Sequence, residues 1–416
     1  FPWSTAVSGV VVAILAALFV LSFPTTRDNT NYAGVPPWPV FTLGVSLSNW
    51  LRSTADSLLP PANRLLSRAF DLNNLVAIYC CGKLGWPDVL SHGIQSGRFL
   101  AEYANVSKMM TRRLLRACVA ADIFYELSGT NDDVDDDDRY YLNTALGDTL
   151  RDDHPYTLKY FIQTQMEVFG PGLFELHNTL RDDSLLPFSL AHNYGHSPNA
   201  VWEYLRDHPT NAIQFSKAMN TVDALGMGAL SSDFDWAARC STIIDIGGGK
   251  GTFIANLLRK FPHLRAVLFD LPSAIDQAEG YWAEDKQRDL LPRVSFARGD
   301  FFDAATIPAS AGGGTCYALR IVLHDWGDAN AEAILRNVAG RMAAGDRILV
   351  MEYMQVENEF LRDRVLFDLL MRTFGVIERT LPEFRRLFAA AGLAVAKAHP
   401  TRSVFTIVEG QLAAAR

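Results

Sequence analysis

The chain has 416 residues, 49% of them apolar and 20% charged, which excludes a disordered protein and leaves room for two domains around sizeable cores. Its formal net charge of −8 excludes the basic footprint of a nucleic-acid binder. Much of that charge sits in "NDDVDDDD" (131–138), whose aspartates repel one another and read as a solvated loop without the spaced glycine and closing glutamate of a calcium site.

The first predicted element is "AVSGVVVAILAALFVLSF" (6–23), which carries no charge and matches the thickness of a bilayer. We read residues 1–26 as a transmembrane anchor. A signal peptide would carry a basic leading region, which is missing here, and a buried core helix is the plainer alternative. No lysine and arginine bias sets an orientation. Residues 27–65 read as a linker and juxtamembrane segment. "GVPPWPV" (34–40) is broken by prolines, and "LSNWLRSTADSLL" (47–59) suits a short amphipathic helix that Pro60 and Pro61 end.

From 66 to 228 the apolar spacing is helical. "GRFLAEYANVSKMMTRRLLRACVAADIFYEL" (97–127) suggests helix, turn, helix, as in an all-helical, winged-helix-like domain. Lys108, Arg112, Arg113 and Arg116 could face phosphates there, but a basic face on a packing domain fits the charge balance better. The stretches around 157–180 and 211–230 are rich in Phe and Met, which usually pack cores and also line apolar cavities. The five cysteines, Cys80, Cys81, Cys118, Cys240 and Cys316, are odd in number and form no CxxC. Reduced thiols filling the core are expected, with no metal site.

After residue 229 the pattern changes to short apolar strands alternating with helices. This predicts an α/β domain, 229–416, whose parallel sheet is covered on both faces. "LAVAKAHP" and "SVFTIVEG" near the end read as an antiparallel edge. In "TIIDIGGGKGTF" (242–253) a strand leads to glycines at 247, 248, 249 and 251, whose backbone can turn tightly and approach a ligand. The next strand ends in Asp270, placed to accept both hydroxyls of a ribose. The one after ends in Asp300, which can accept from an adenine amine, and Phe301, which can lie against the ring. Each acid alone could be a helix cap. Three strand ends in succession point to a nucleoside.

This set resembles the S-adenosylmethionine-dependent methyltransferases, and more closely the O-methyltransferases of the caffeate, hydroxyindole and hydroxyneurosporene type. "DIGGGKGTF", "FDLP", "GDFF", "LHDW" and "ERT" follow that family's order over residues 67–410. The resemblance implies a Rossmann-like seven-stranded sheet and S-adenosyl-L-methionine held by Gly247, Gly249, Asp270, Leu271, Asp300, Phe301 and Arg320. It implies that His324 is the general base, flanked by Glu352 and Glu378. A histidine suits that task because an acceptor hydroxyl is a poor nucleophile until it loses its proton. Asp325 and Trp326 are expected to cap and pack the following helix, or to stack near the adenine, and not to do chemistry. Phe215, Met219 and Met371 would line the acceptor pocket, with core packing as the plain alternative. The helical half would serve a homodimer.

The expected activity is metal-free methyl transfer to a hydroxyl of a small, lipophilic or aromatic acceptor. The anchor suggests an organellar membrane, mitochondrial or plastid, with the catalytic body in an aqueous reducing compartment. The competing reading is a structural subunit of a membrane complex built on the same fold.

Overall fold

The computed structural model describes residues 36–414 except 128–138, 183, 196, 198, 285–286, 311 and 356–361. The anchor expected at 6–23 and the aspartate run lie outside these residues. Among the described residues no helix is long and apolar enough to cross a membrane. The chain forms two compact units, one drawn from residues up to 168 with 208–224, the other from 169–207 with 225–416. A sequence boundary at 228 differs from this division, because 169–207 belongs with the sheet-bearing unit.

The first unit opens on α1 (Trp38–Ser57), α2 (Pro61–Ala69) and α3 (Asp71–Lys83). The proline-broken stretch 34–40 does not stay out of the helix, since α1 begins inside it, at Trp38. Pro39 falls in the first turn, where the N–H groups lack intrahelical partners anyway. Neither α1 nor α2 buries a residue, and Trp50, Leu58, Leu65, Leu66 and Phe70 stay exposed.

The unit is not all-helical. Beside α4 (Lys108–Ala120) lies a three-stranded antiparallel sheet of β1 (Gln95–Ser96), β2 (Phe124–Leu127) and β3 (Tyr140–Asn143), in the order β1-β3-β2. "FYEL" continues the helix in a reading by periodicity. Its aromatic content and alternating burial make it a strand instead, paired with "YYLN". A helix followed by a hairpin keeps the winged-helix outline. Its core gathers Trp86, Leu100, Leu115, Phe124 and Tyr141. The helix α5 (Pro209–Ser232) follows later in the chain.

The second unit holds a seven-stranded sheet. Its strands are β4 (Thr242–Ile246), β5 (Arg265–Asp270), β6 (Val294–Arg298), β7 (Thr315–Arg320), β8 (Arg347–Tyr353), β9 (Leu393–Pro400) and β10 (Phe405–Leu412). They lie in the order β6-β5-β4-β7-β8-β10-β9. The first five are parallel, and β10 runs antiparallel to both β8 and β9. Parallel central strands are covered on both faces and so read as continuous apolar runs, as β4 does, with four of its five residues buried. Helices α6 (Thr252–Lys260), α7 (Pro272–Ala283), α8 (Asp328–Ala339), α9 (Arg362–Arg372) and α10 (Leu381–Ala390) lie between its strands along the chain. The strand order reverses between β4 and β7, which pair through Ile246 and Leu319. Ligands of open α/β sheets settle beyond the carboxyl ends of the strands at such a reversal.

The expectation of reduced thiols is overturned for four cysteines. Cys81 is bonded to Cys118 between α3 and α4, and Cys240 to Cys316 at the entry of β4 and β7. The partners are 37 and 76 residues apart, so no local spacing announces them. The fold alone brings them together. All four are buried, as core fillers would be.

Candidate active site

The carboxyl end of β4 opens into Gly247, Gly248, Gly249 and Gly251. Gly247, Gly249 and Gly251 all have positive φ, at 71°, 56° and 77°. A side chain is strained there, which is why this turn is written in glycine. Gly248 is required for space instead. A Cβ on it would sit 2.4 Å from both Asp245 Oδ2 and Leu268 Cδ1. A Cβ on Gly249 would meet nothing within 4 Å, so that backbone faces open space.

The acids predicted to read a nucleoside stand around this rim. Asp270, at the end of β5, accepts from the Gly249 N–H at 2.8 Å through Oδ2 and from Leu271 N–H at 2.7 Å through Oδ1. It ties the ends of β4 and β5 together. Leu271 is half exposed, at 50%. Asp300 is exposed beyond β6, and its Oδ1 accepts from Phe302 N–H at 2.9 Å. Phe301 packs edge-on against Trp326 at 5.9 Å between ring centres. Arg320 closes β7 with its guanidinium 5.8 Å from the Phe253 ring.

Beyond Arg320 the chain turns sharply. Ile321 takes φ of 55°, an unfavourable conformation for a β-branched residue. Such strain persists where the surroundings over-determine it, and it gathers at functional sites. Val322 follows, close enough to the glycine rim that a Cβ on Gly247 would lie 3.1 Å from its Cγ2. Leu323, His324 and Asp325 form one short 3₁₀ turn. The glycine turn after β4 and the histidine turn after β7 therefore share the point of strand reversal.

His324 is buried, and its Nδ1 lies 3.1 Å from Glu378 Oε1. Its Nε2 faces Asp325 Oδ1 at 3.5 Å. Asp325 thus turns toward the imidazole and does not cap α8, whose N-cap is Gly327. Trp326 packs against Phe301 and Phe302, beyond β6. Glu352, buried on β8, addresses the backbone and not the ring. Its Oε1 accepts from the N–H groups of Val322, Leu323 and His324, at 3.3, 2.6 and 3.1 Å. Oε2 of both Glu352 and Glu378 is buried without a hydrogen-bond partner.

Burial opposes a charged imidazole at His324. The hydrogen bond to Glu378 and the fields of Asp325, Glu352 and Glu378 outweigh it and lift the pKa to about 9. Burial also pushes the Glu352 carboxyl above the usual carboxylate range.

One residue of this site escapes motif reading. Arg379 lies inside "ERT" and is buried, and its guanidinium reaches the backbone on both sides of His324. The only sequence signal for it is a cation placed between a buried acid and a helix-capping threonine. Among the acceptor-pocket candidates, Met371 is buried near the end of α9 in the second unit. Phe215 and Met219 lie half-buried on α5 in the first unit.

The family model of the O-methyltransferase domain matches residues 169–394. The 2,7-dihydroxy-5-methyl-1-naphthoate 7-O-methyltransferase of Streptomyces carzinostaticus is 31% identical over 342 residues, covering 82% of this chain and 95% of its own. The mitomycin biosynthesis 6-O-methyltransferase of Streptomyces lavendulae is 29% identical over 325 residues, covering 78% and 86%. Among solved structures, the O-methyltransferase NcsB1 of neocarzinostatin biosynthesis superposes with a TM-score of 0.64 at 30% identity, over 82% of this chain and 96% of that one. That protein was crystallised with S-adenosylmethionine and 2-hydroxy-5-methyl naphthoic acid. These relatives are named for the transfers they catalyse, which does not favour a purely structural subunit. With the glycine rim, the following acids and the histidine turn in family order, the chain belongs to the S-adenosylmethionine-dependent O-methyltransferases.

Proposed function

We propose that this enzyme methylates a hydroxyl on a small aromatic acceptor, with His324 taking the proton. The observation that carries the reading is the buried imidazole, held at Nδ1 by Glu378 and set beside the glycine rim through Val322. The aromatic class is supported by the relatives named for naphthoate and mitomycin methylation.

The rim fits an adenosyl sulfonium. The Gly249 backbone faces open space, and Asp270 keeps lone pairs beyond the two N–H groups it already accepts. Gly247, Gly249, Asp270, Leu271, Asp300, Phe301 and Arg320 would hold it. When bound, S-adenosylmethionine supplies an electrophilic methyl on a positive sulfur. The chain's own task is to orient the acceptor oxygen and remove its proton. Glu378 fixes which imidazole nitrogen stays available, so Nε2 is the atom that accepts. Glu352 holds the turn that carries the ring. Met371, buried in the unit that carries His324, would contact the acceptor's apolar body.

Because the base must be neutral, activity rises with pH. For the wild type, kcat/KM should climb through the acid range and level only near the His324 pKa of about 9. Glu378→Gln removes the carboxylate charge and leaves only a neutral amide acceptor for Nδ1, so the interaction that raises this pKa is weakened. The ascending limb should then move to lower pH by about one unit or more, with a lower plateau. The measurement is the pH dependence of label transfer from methyl-labelled cofactor to a panel of naphthols and phenols. An ascending limb unmoved by Glu378→Gln would remove His324 as the titrating group.

The run 6–23 is further read as a membrane tether, which favours a lipophilic acceptor. Support comes from its uncharged composition and from the exposed Trp50, Leu58, Leu65, Leu66 and Phe70 just after it. Two disulfides favour a compartment that is not strongly reducing, in place of the reducing one first expected. The full chain should float with liposomes, and a version starting at residue 31 should float about tenfold less. Equal flotation, or a second copy of the chain covering these side chains in a stable dimer, would count against the tether.

A further inference from the structure

The proton-transfer reading leaves one buried cation without a task. Arg379 is 1% exposed. Its Nη1 donates to the Leu323 carbonyl at 2.9 Å and its Nη2 to the Trp326 carbonyl at 2.7 Å. Nε and Nη2 also donate to Asp328 Oδ1, at 3.1 and 2.9 Å. One planar group therefore spans the turn from the residue before His324 to the first residue of α8. From the opposite side Glu352 takes the N–H groups of the same turn. A third tie is direct, from the Ile377 N–H to the His324 carbonyl at 2.9 Å.

The placement of Arg379 is itself firm. Its own carbonyl accepts from Gln355 N–H at 3.1 Å. The next residue, Thr380, caps α10 in a reciprocal capping box with Glu383. The guanidinium thus extends from an anchored backbone toward a turn that carries strain at Ile321. Its one carboxylate partner, Asp328, has a side chain that is 81% exposed and so returns little of what burying a cation costs. An apolar side chain would fill the space without that penalty. The cation is spent on backbone carbonyls that only a forked donor reaches together.

We infer that Arg379 is a positioning residue: it grips the Leu323 and Trp326 carbonyls so that the strained turn presents His324 to the acceptor. It acts through the histidine and touches neither substrate. The inference rests on His324 being the base, and the test separates the two.

The enzyme is assayed as wild type, H324A, R379A and the double variant, with methyl-labelled cofactor and a naphthol acceptor. R379A should lower kcat about 10²-fold, the loss that displacement of a catalytic group by about 1 Å can bring, with KM for the cofactor within about threefold. Added guanidinium should restore at least about tenfold of that loss. In the H324A background the same change should cost less than about twofold, because a unit lost once is not lost again. R379K keeps the buried charge without the fork; it should behave like R379A, and it carries the test if alanine fails to fold. Equal losses in both backgrounds, or a raised KM with kcat intact, would overturn the clamp while leaving the base in place. Full activity in H324A would remove the base itself, and the clamp with it.

Discussion

His324→Ala should lower kcat by about 10³-fold while S-adenosylmethionine binds within about threefold of wild type. The two effects separate because the histidine turn and the cofactor rim belong to different strand ends, β7 and β4. Losing the imidazole leaves Glu378 buried with both oxygens unpartnered, so some stability is lost as well. Some turnover should survive, since alignment of the reacting atoms does not depend on the base. That residue should grow with pH, as the acceptor ionises without help. Single-turnover transfer measured from pH 6 to 10 would show this, and equal rates for variant and wild type at pH 7 would take the base role away from His324.

Gly248→Ala should weaken S-adenosylmethionine binding by about 10²-fold or more. The added methyl would have to lie 2.4 Å from Asp245 Oδ2 and from Leu268 Cδ1, the ends of two short side chains that are themselves buried. Overpacking of this kind costs about 1–3 kcal/mol and is relieved by moving backbone. The backbone that can move is the rim, since β4 and β5 are locked in register from Thr242 to Ile246. A melting temperature lower by about 2–10 °C should accompany the loss. Calorimetric titration with the cofactor checks the first effect and thermal unfolding the second. Gly249→Ala is the instructive partner: its methyl would enter open space and clash with nothing, so its cost to folding should be the strain of a side chain at φ of 56° alone, with a loss of cofactor binding on top of it.

Most of the second unit is legible from its amino acids. β4 and β8 are continuous buried runs because both sheet faces are covered, and this makes them stand out. The glycine rim is legible because positive φ demands glycine. The histidine turn is legible only through resemblance, since nothing in "LHDW" announces a strained Ile321 or three N–H groups converging on Glu352. The start of α1 is hidden by a rule that holds in helix interiors and lapses in the first turn. "FYEL" follows a helix so directly that its short alternation is masked. The disulfides depend on contacts 37 and 76 residues apart, beyond any local pattern. Arg379 shows the same limit at the site, because its acceptors are carbonyls, which every residue has.

The position of β10 has a consequence for how this enzyme is made. It lies between β8 and β9, although β9 is synthesised before it. β9 cannot dock on β8 as it emerges from the ribosome; it must wait for β10 and join as a hairpin. Until then β8 keeps a bare edge at Glu352, which in the finished sheet stands opposite Thr406. The carboxylate that gathers the histidine turn thus stands on a strand edge that only the C-terminal hairpin closes.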